Sequence, residues 1–204
     1  MRMASNDRLV THRLGDLTEI VTSGFSPYGR SPSGHGDCDV GLIGTKDIRG
    51  GTVDFTHLER VTVPDADKLT PYRVAIGDVL VVIRGSVPRS AVCNRNTDGA
   101  VAGGNLAIIR LKPSAPIGPY LLQSILSAPS GQAALRGLAQ GSATLAIRPA
   151  LLAELEIGVP EAQEARRLEH LCRTLGELRA ATLAALRARE HVVDGIVGRY
   201  VRAS

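Results

Sequence analysis

The last forty or so residues, from Glu161 to about Arg202, constrain the fold of this chain more than any other stretch. Apolar or small residues recur there at steps of three and four, the spacing of one face of an α-helix. Pro160 can occupy the first helical position, and Glu161 and Glu164 place negative charge at the positive end of the helix dipole. At 1.5 Å per residue such a helix extends roughly 60 Å. We therefore expect a helix that projects from the chain and needs a partner.

The apolar stripe of this helix predicts a dimerisation surface. Thr182 lies on the stripe and Arg189 interrupts it. A single exposed stripe of this length is a larger apolar patch than monomers tolerate, so another helix should cover it. The large apolar members are Leu168, Leu171, Leu175, Leu178, Leu186, Val193 and Ile196.

The part of the chain before this helix predicts an α/β fold with a mixed, mostly antiparallel sheet. Residues 1–13 form a polar lead-in. Short β-type runs separated by Gly, Pro and Ser clusters follow at Val40–Ile43, Gly51–Phe55, Arg60–Val63, Asp78–Ile83, Ala91–Cys93 and Leu106–Leu111. The pattern then predicts helices at Pro119–Ala128 and Gly131–Gln140, a short helix or turn at Ile147–Leu155, and a strand at Leu155–Val159. We divide the chain into a domain of residues 1–158 and a long, coiled-coil-like helical arm of residues 159–204.

Charge and cysteine usage limit the class of protein. The net charge is +4 and the sequence pI is about 9.2, and arginine supplies nearly all the basic residues. Arginine suits contacts to phosphate or guanine, but it also tracks a GC-rich genome, and both readings stay open. The three separated cysteines predict reduced thiols, and no apolar run has the length of a signal core or a membrane span. We expect a cytoplasmic protein with no membrane partner.

Polar residues in the long loops predict contacts to duplex DNA. Arginine and lysine bind phosphate or guanine, asparagine reads adenine, and hydroxyl groups reach phosphate or the thymine methyl group. For each single residue an ordinary solvated loop is an equally open reading. Aromatic residues make up only 3% of the chain, which argues against the stacking platforms used for single strands. The candidates are Ser26, Tyr28, Arg30, Lys46, Arg49, Arg84, Ser86, Arg89, Asn94, Arg95, Asn105, Ser142 and Thr144.

The sequence predicts no catalytic residue, metal site or cofactor. Asp78 follows a glycine at the start of a buried strand, where a tight turn is the expected role. The polar run from His35 to Asp39, even with Cys93 and His57 added, lacks the paired ligand spacing of a zinc site. No Walker loop and no GxSxG nucleophile motif occurs.

Several segments, in this order, resemble one half of the specificity subunit of type I restriction–modification systems. They are Leu14–Leu17 with Gly24, Gly44–Ile48 with Gly50 and Gly51, Gly77–Leu80 leading to Arg84–Ser86, Gly104 with Asn105, Pro119–Leu122, Gly141–Ala143, and Leu155–Pro160 with Gln163. Each segment is a weak signal alone, but together they form a fairly specific one. The resemblance implies a target recognition domain that reads duplex DNA, a helix that docks methyltransferase subunits, and no enzymatic activity in the chain itself. A restriction or translocase subunit is a further candidate partner.

A usual member of that family has two recognition domains and two antiparallel helices, whereas this chain has one of each. Either two copies pair as a homodimer and read a palindromic bipartite site, or the chain pairs with a second specificity chain or serves another assembly. A scaffold or regulatory protein of a phage-defence complex, which docks a methyltransferase without reading DNA, is an alternative. A small metal-dependent nuclease or hydrolase is a third reading, which the missing acidic motif disfavours.

Overall fold

The domain is built around a six-stranded sheet with the strand order β2-β11-β7-β9-β5-β4. The computed structural model describes residues 9–26, 38–63, 66–139, 145–197 and 200. Within these residues the strands are β1 Val10–Arg13, β2 Thr18–Ser23, β3 Cys38–Ile43, β4 Ile48–Arg49, β5 Thr52–Val53, β6 Glu59–Val63, β7 Val79–Val82, β8 Arg84–Gly85, β9 Ser90–Val92, β10 Val101–Ala102, β11 Leu106–Leu111, β12 Leu145–Ala146 and β13 Glu156–Val159. The helices are α1 Pro119–Ser127, α2 Pro129–Gly137, α3 Pro149–Ala153 and α4 Ala162–Val197.

Strand β7 shows how this sheet is buried on both faces. Its four residues are all fully buried, and they alternate between two hydrophobic clusters. Val79 and Val81 face the cluster built with α1, α2, α3 and the first turns of α4. Leu80 and Val82 face the opposite cluster, which includes Ile43 at the end of β3. Side chains alternate across a strand, so an uninterrupted apolar run is what a strand at the centre of the domain requires.

Smaller sheets complete the domain. Strand β3 lies between β10, to which it is parallel, and β6, to which it is antiparallel. Near the chain's beginning, β1 pairs antiparallel with β13, with Val10 opposite Val159. Strand β8 pairs antiparallel with β12. The mixed, antiparallel-rich sheets and the long final helix confirm the predicted fold class.

Six strands were absent from the sequence-based prediction: β1, β2 and the two-residue strands β4, β8, β10 and β12. Residues 10–13, interpreted as a polar lead-in, form β1, and three of its four residues are exposed. Backbone hydrogen bonds to β13 hold β1 in place, so its side chains need not show the alternation of apolar and polar residues that predicts a strand. Strand β2 was missed as well. Gly24, just after β2, lies so close to the backbone of Ala102 that a side chain would not fit there. A Cβ atom at Gly24 would lie 2.3 Å from the carbonyl oxygen of Ala102.

One face of α4 docks on the domain, which corrects the expectation of a fully projecting helix. Near its start, Ala165 is fully buried, and Leu168 and Cys172 pack partly buried against the first cluster. Farther along, Gly176 contacts the Tyr120 ring, where an added Cβ atom would lie 3.3 Å from a ring carbon. This face consists largely of small and polar residues, so apolar periodicity did not reveal it.

Two polar contacts fix this docking. Helix α1 begins at Pro119 after Gly118, which has no side chain to cap it, and the Glu169 carboxylate accepts the backbone N–H of Leu121 at 2.7 Å instead. About five helical turns farther along, Arg187 forms an ion pair with Asp54 in the turn after β5. Burial alone would raise the pKa of Asp54, but hydrogen bonds from Thr56 and the nearby Arg187 charge lower it below its usual value. The arm is therefore held against the domain at least as far as Arg187.

Candidate functional site

Four neighbouring strands bring the ends of several loops to one edge of the six-stranded sheet. Strand β11 is antiparallel to both β2 and β7, and β7 is antiparallel to β9. The ends of β2 and β7 and the beginnings of β9 and β11 therefore lie at the same edge. Because loops on a rigid sheet commonly carry binding residues, this edge is the natural candidate site.

Five of the predicted DNA-contacting residues meet at this edge, and all five are exposed. Ser26 follows β2, Arg84 and Ser86 follow β7, Arg89 precedes β9, and Asn105 precedes β11. We call this group the basic sheet end. The sequence has no acidic residue between Asp78 and Asp98, so no neighbour in this segment neutralises the two guanidinium groups.

Backbone bonds set the spacing within the basic sheet end. The carbonyl oxygen of Asn105 accepts the N–H of Ile83 at 2.9 Å and that of Arg84 at 3.3 Å. The N–H of Val82 bonds to the carbonyl of Arg89 at 2.7 Å. These backbone groups are paired internally, while the side chains of Arg84, Arg89 and Asn105 remain exposed to make contacts outside the chain.

Lys46 lies in a short 3-10 turn at Thr45–Asp47, and Arg49 ends the strand β4 that follows it. Arg89 Nη1 donates to the carbonyl of Ile48 at 3.3 Å, which links the turn to the edge. Arg49 Nε donates to the carbonyl of Lys46 at 3.0 Å. Arg49 also borders a cleft of about 580 Å³ between the domain and α4, so its side chain lies between the two regions.

Asn94 and Arg95 do not join the basic sheet end. They follow β9 at its far end and line the clefts beside α4, near Ala180 and Gly176. The Asn94 side-chain oxygen already accepts the N–H of Asn96 at 2.9 Å. A cap that stabilises its own turn is thus the local role that the structure gives Asn94.

Four other predicted contact residues lie outside the described part of the chain: Tyr28, Arg30, Ser142 and Thr144. Strand β12 begins immediately after Thr144 and pairs with β8, with Ala146 opposite Arg84. Strand β12 therefore lies beside the basic sheet end.

Asp78 has the structural role predicted for it. Its carboxylate accepts the N–H of Ala75 at 2.8 Å, and Gly77 before it has a φ of +89°, which favours glycine. Arg110 binds both carboxylate oxygens, at 2.8 and 2.7 Å. This hydrogen bonding raises the pKa of Arg110, and the pair closes a turn rather than presenting a reactive carboxylate.

Metal and thiol chemistry find little support in the residues that the structure covers. No group of three or more His, Cys, Asp and Glu side chains is placed there to hold a metal ion. Most of the polar run His35–Asp39, for which the sequence predicted no metal site, lies outside them. Cys93 is buried, and burial raises the pKa of its thiol to about 12. Across the same residues, no helix is long and apolar enough to cross a membrane.

The exposed side of α4 carries the predicted dimerisation stripe. Leu171, Leu175, Leu178, Leu186, Val193 and Ile196 are between 45% and 62% exposed. Leu168 is the exception, because it packs partly against the domain's own core. The arm thus has a docked face and a separate apolar face.

Comparison with known proteins identifies the fold. No protein-family model matches the chain, and no curated protein matches it. Among solved structures, the HsdS subunit from Thermoanaerobacter tengcongensis aligns with a TM-score of 0.59 at 16% identity, over 93% of this chain and 47% of that one. The chain has the HsdS fold. The S subunit of a type I restriction–modification system from M. genitalium aligns with a TM-score of 0.57 at 17% identity, over 91% of this chain and 43% of that one.

A third structure, from a study of complex assembly and conformational transition of the type I R-M system, aligns with a TM-score of 0.58 at 15% identity. That alignment covers 99% of this chain and 51% of the other. The chain therefore spans about half the length of the HsdS-fold proteins that it matches. The resemblance stated from the sequence is confirmed as a likeness of fold.

Proposed function

We propose that this chain is a sequence-specific DNA-recognition subunit of a type I modification system. It reads duplex DNA with the basic sheet end, pairs through its arm, and brings a methyltransferase subunit to a bipartite target. A restriction or translocase subunit is a further partner of the assembled complex. The chain itself carries no catalytic site, and the assembly acts in the cytoplasm.

The observation that carries this proposal is the convergence of Arg84, Arg89 and Asn105 at one exposed edge of an HsdS-like domain. Arginine and asparagine are the side chains best suited to guanine and adenine edges in the major groove. Their strands are buried on both faces, so the three side chains project from a rigid base. Phosphate contacts by the arginines would set the register, and a few base contacts would specify the sequence.

Selection from a pool of randomised duplex DNA tests the proposal. The purified chain is incubated with the pool at physiological salt, alone and with its methyltransferase subunit, and the bound fraction is sequenced. We expect enrichment of two inverted half-sites at a fixed spacing. If neither sample enriches a sequence and neither retains duplex DNA at low salt, the recognition function is wrong and the scaffold alternative replaces it.

A further inference from the structure

The loop between β7 and β9 carries an exposed apolar side chain within the basic sheet end. Val87 is 45% exposed, and it lies three residues after Arg84 and two residues before Arg89. A single exposed valine is ordinary on a protein surface. Of the large exposed apolar residues that the structure describes, however, Val87 alone lies in a loop of this edge. Its position, rather than its exposure, requires an explanation.

Buried residues anchor this loop at both ends. Ile83 is only 2% exposed, and its N–H and its carbonyl are each hydrogen-bonded at 2.9 Å. At the other end, Pro88 is buried. Between these anchors, Gly85 pairs with Leu145 of β12. Val87 therefore projects from a loop whose shape is set before any ligand binds.

The local sequence also restricts Val87 itself. Pro88 follows it, and the residue before a proline favours extended backbone conformations. A β-branched side chain such as valine is stiff about its χ1 angle. The two methyl groups of Val87 are therefore held in few positions, which lowers the entropy cost of placing them against a ligand.

An apolar group held between arginines fits one chemical feature of the major groove. Thymine presents its C5 methyl group there, and apolar side chains recognise that group. Cytosine and uracil carry only hydrogen at C5, whereas 5-methylcytosine carries the same methyl group as thymine. The sequence-based candidates for this contact were hydroxyl side chains, but a hydroxyl group buried against a methyl group loses a hydrogen bond to water. Valine has no such cost.

The spacing along the chain places Val87 close to the contacts of Arg89. Two steps of 3.8 Å between Cα atoms separate them, so the two Cα atoms are at most about 7.6 Å apart. Successive base pairs of a duplex are about 3.4 Å apart. When Arg89 binds a phosphate or a guanine, Val87 therefore lies within about two base-pair steps of that contact.

We propose that Val87 recognises the C5 methyl group of one pyrimidine in the target, so that the chain distinguishes thymine from uracil and 5-methylcytosine from cytosine at that position. The inference rests on the proposed function, because it requires that the basic sheet end face the major groove. It goes beyond that function by assigning an apolar determinant of specificity and by making the affinity sensitive to methylation of cytosine at C5.

Matched duplexes isolate the methyl group. The half-site obtained by selection is synthesised with each thymine replaced in turn by deoxyuridine, and with each cytosine replaced in turn by 5-methylcytosine. Fluorescence anisotropy measures the affinity under the conditions in which selection succeeds. At one position, removal of the thymine methyl group should weaken binding about fourfold, or addition of a methyl group to cytosine should strengthen it about fourfold, because burial of one such group contributes about that factor.

Substitutions assign the effect to Val87. Val87→Ser should abolish the preference for the methyl group and leave the salt slope unchanged, because both arginines remain. Val87→Ile keeps a branched apolar side chain and should keep the preference. Ile76→Ser is the matched control, since Ile76 is 58% exposed and lies just before β7, at the opposite end of that strand. It should bind every duplex as the native chain does.

The outcomes separate this inference from the proposed function. Sequence-selective binding with no response to a C5 methyl group at any position would overturn the inference and leave the proposed function standing. A response that Val87→Ser retains would also overturn it, because another residue would then make the contact. Retention of no duplex DNA, with or without the methyltransferase subunit, would refute the proposed function and this inference together.

Discussion

At the residue scale, the exposed arginines of the basic sheet end differ from Arg110, which binds a buried carboxylate within the fold. Arg84 and Arg89 are exposed and Arg89 Nη1 donates only to a neutral backbone carbonyl, that of Ile48, whereas Arg110 binds both oxygens of Asp78, whose side chain is only 1% exposed. The same residue type therefore has a proposed role in recognition in one place and a structural role in another, and burial of the partner distinguishes the two. Separate measurements test the two roles.

Replacement of Arg84 or Arg89 by alanine should weaken duplex binding. Each phosphate contact that is lost should reduce the slope of log K against log salt by about one. Salt titrations with fluorescence anisotropy measure both the affinity and the slope. Arg60→Ala is the matched control. Arg60 lies on β6 and pairs with Asp39 on β3, away from the basic sheet end. Unchanged binding for both variants, with a loss for the control, would place the DNA surface elsewhere.

Replacement of Arg110 by methionine should destabilise the domain by about 3 kcal/mol, because it leaves the buried Asp78 charge without its partner. Urea unfolding followed by circular dichroism measures the difference. Arg60→Met removes an exposed pair, with side chains 63% and 53% exposed, and should leave the urea midpoint nearly unchanged. Equal losses for the two variants would contradict the structural role of the Asp78–Arg110 pair.

At the element scale, helix α4 supplies a cap that α1 lacks. Glu169 accepts the N–H of Leu121, and an added Cβ atom at Gly118 would lie 2.2 Å from the Glu169 carboxyl carbon. Glu169→Ala should therefore expose the first turn of α1 and destabilise the chain by about 1–2 kcal/mol. Hydrogen exchange of the α1 amides and urea unfolding measure the two effects. Glu164→Ala, which removes only an exposed contact to Arg167, should leave the α1 amides unchanged.

The ion pair between Asp54 and Arg187 makes the second contact of the arm dependent on pH. The folded pKa of Asp54 lies below its usual value, so the pair stabilises the fold above about pH 4 and is lost as the pH falls through the folded pKa. At pH 7, Asp54→Asn should cost up to about 1 kcal/mol, and in strong acid its stability should equal that of the native chain. Thermal unfolding from pH 7 down to about pH 1 checks this, because the carboxyl is protonated in both states only well below its folded pKa. A difference that persists at that acid limit would show that the charge is not responsible.

At the scale of the whole molecule, the periodicity of apolar residues predicted the helices and strands better than it predicted the contacts between them. The run from Asp78 to Ile83 predicted the central strand β7, because burial on both faces requires continuous apolar residues. The long helix was predicted from apolar residues at steps of three and four, but its docking was not, since Gly176 and Glu169 contribute shape and a hydrogen bond instead of hydrophobicity. The sequence proposed Arg84, Asn105 and Asn94 alike as DNA contacts. Only the strand pairing could separate the first two from Asn94, which lies at the other end of β9.

Pairing of two chains should control how tightly the whole assembly binds DNA. If two arms pair antiparallel over the length of α4, their beginnings are roughly 50 Å apart, and each is preceded by one recognition domain. Leu178→Glu should break the pair and weaken binding to a duplex with two inverted half-sites by about 100-fold or more, because the second contact is no longer intramolecular. Binding to a duplex with one half-site should be unchanged. Leu178→Met keeps an apolar side chain of similar volume and should retain both the pair and the affinity. Equal affinity of Leu178→Glu and the native chain for the two-site duplex would show that each domain acts alone.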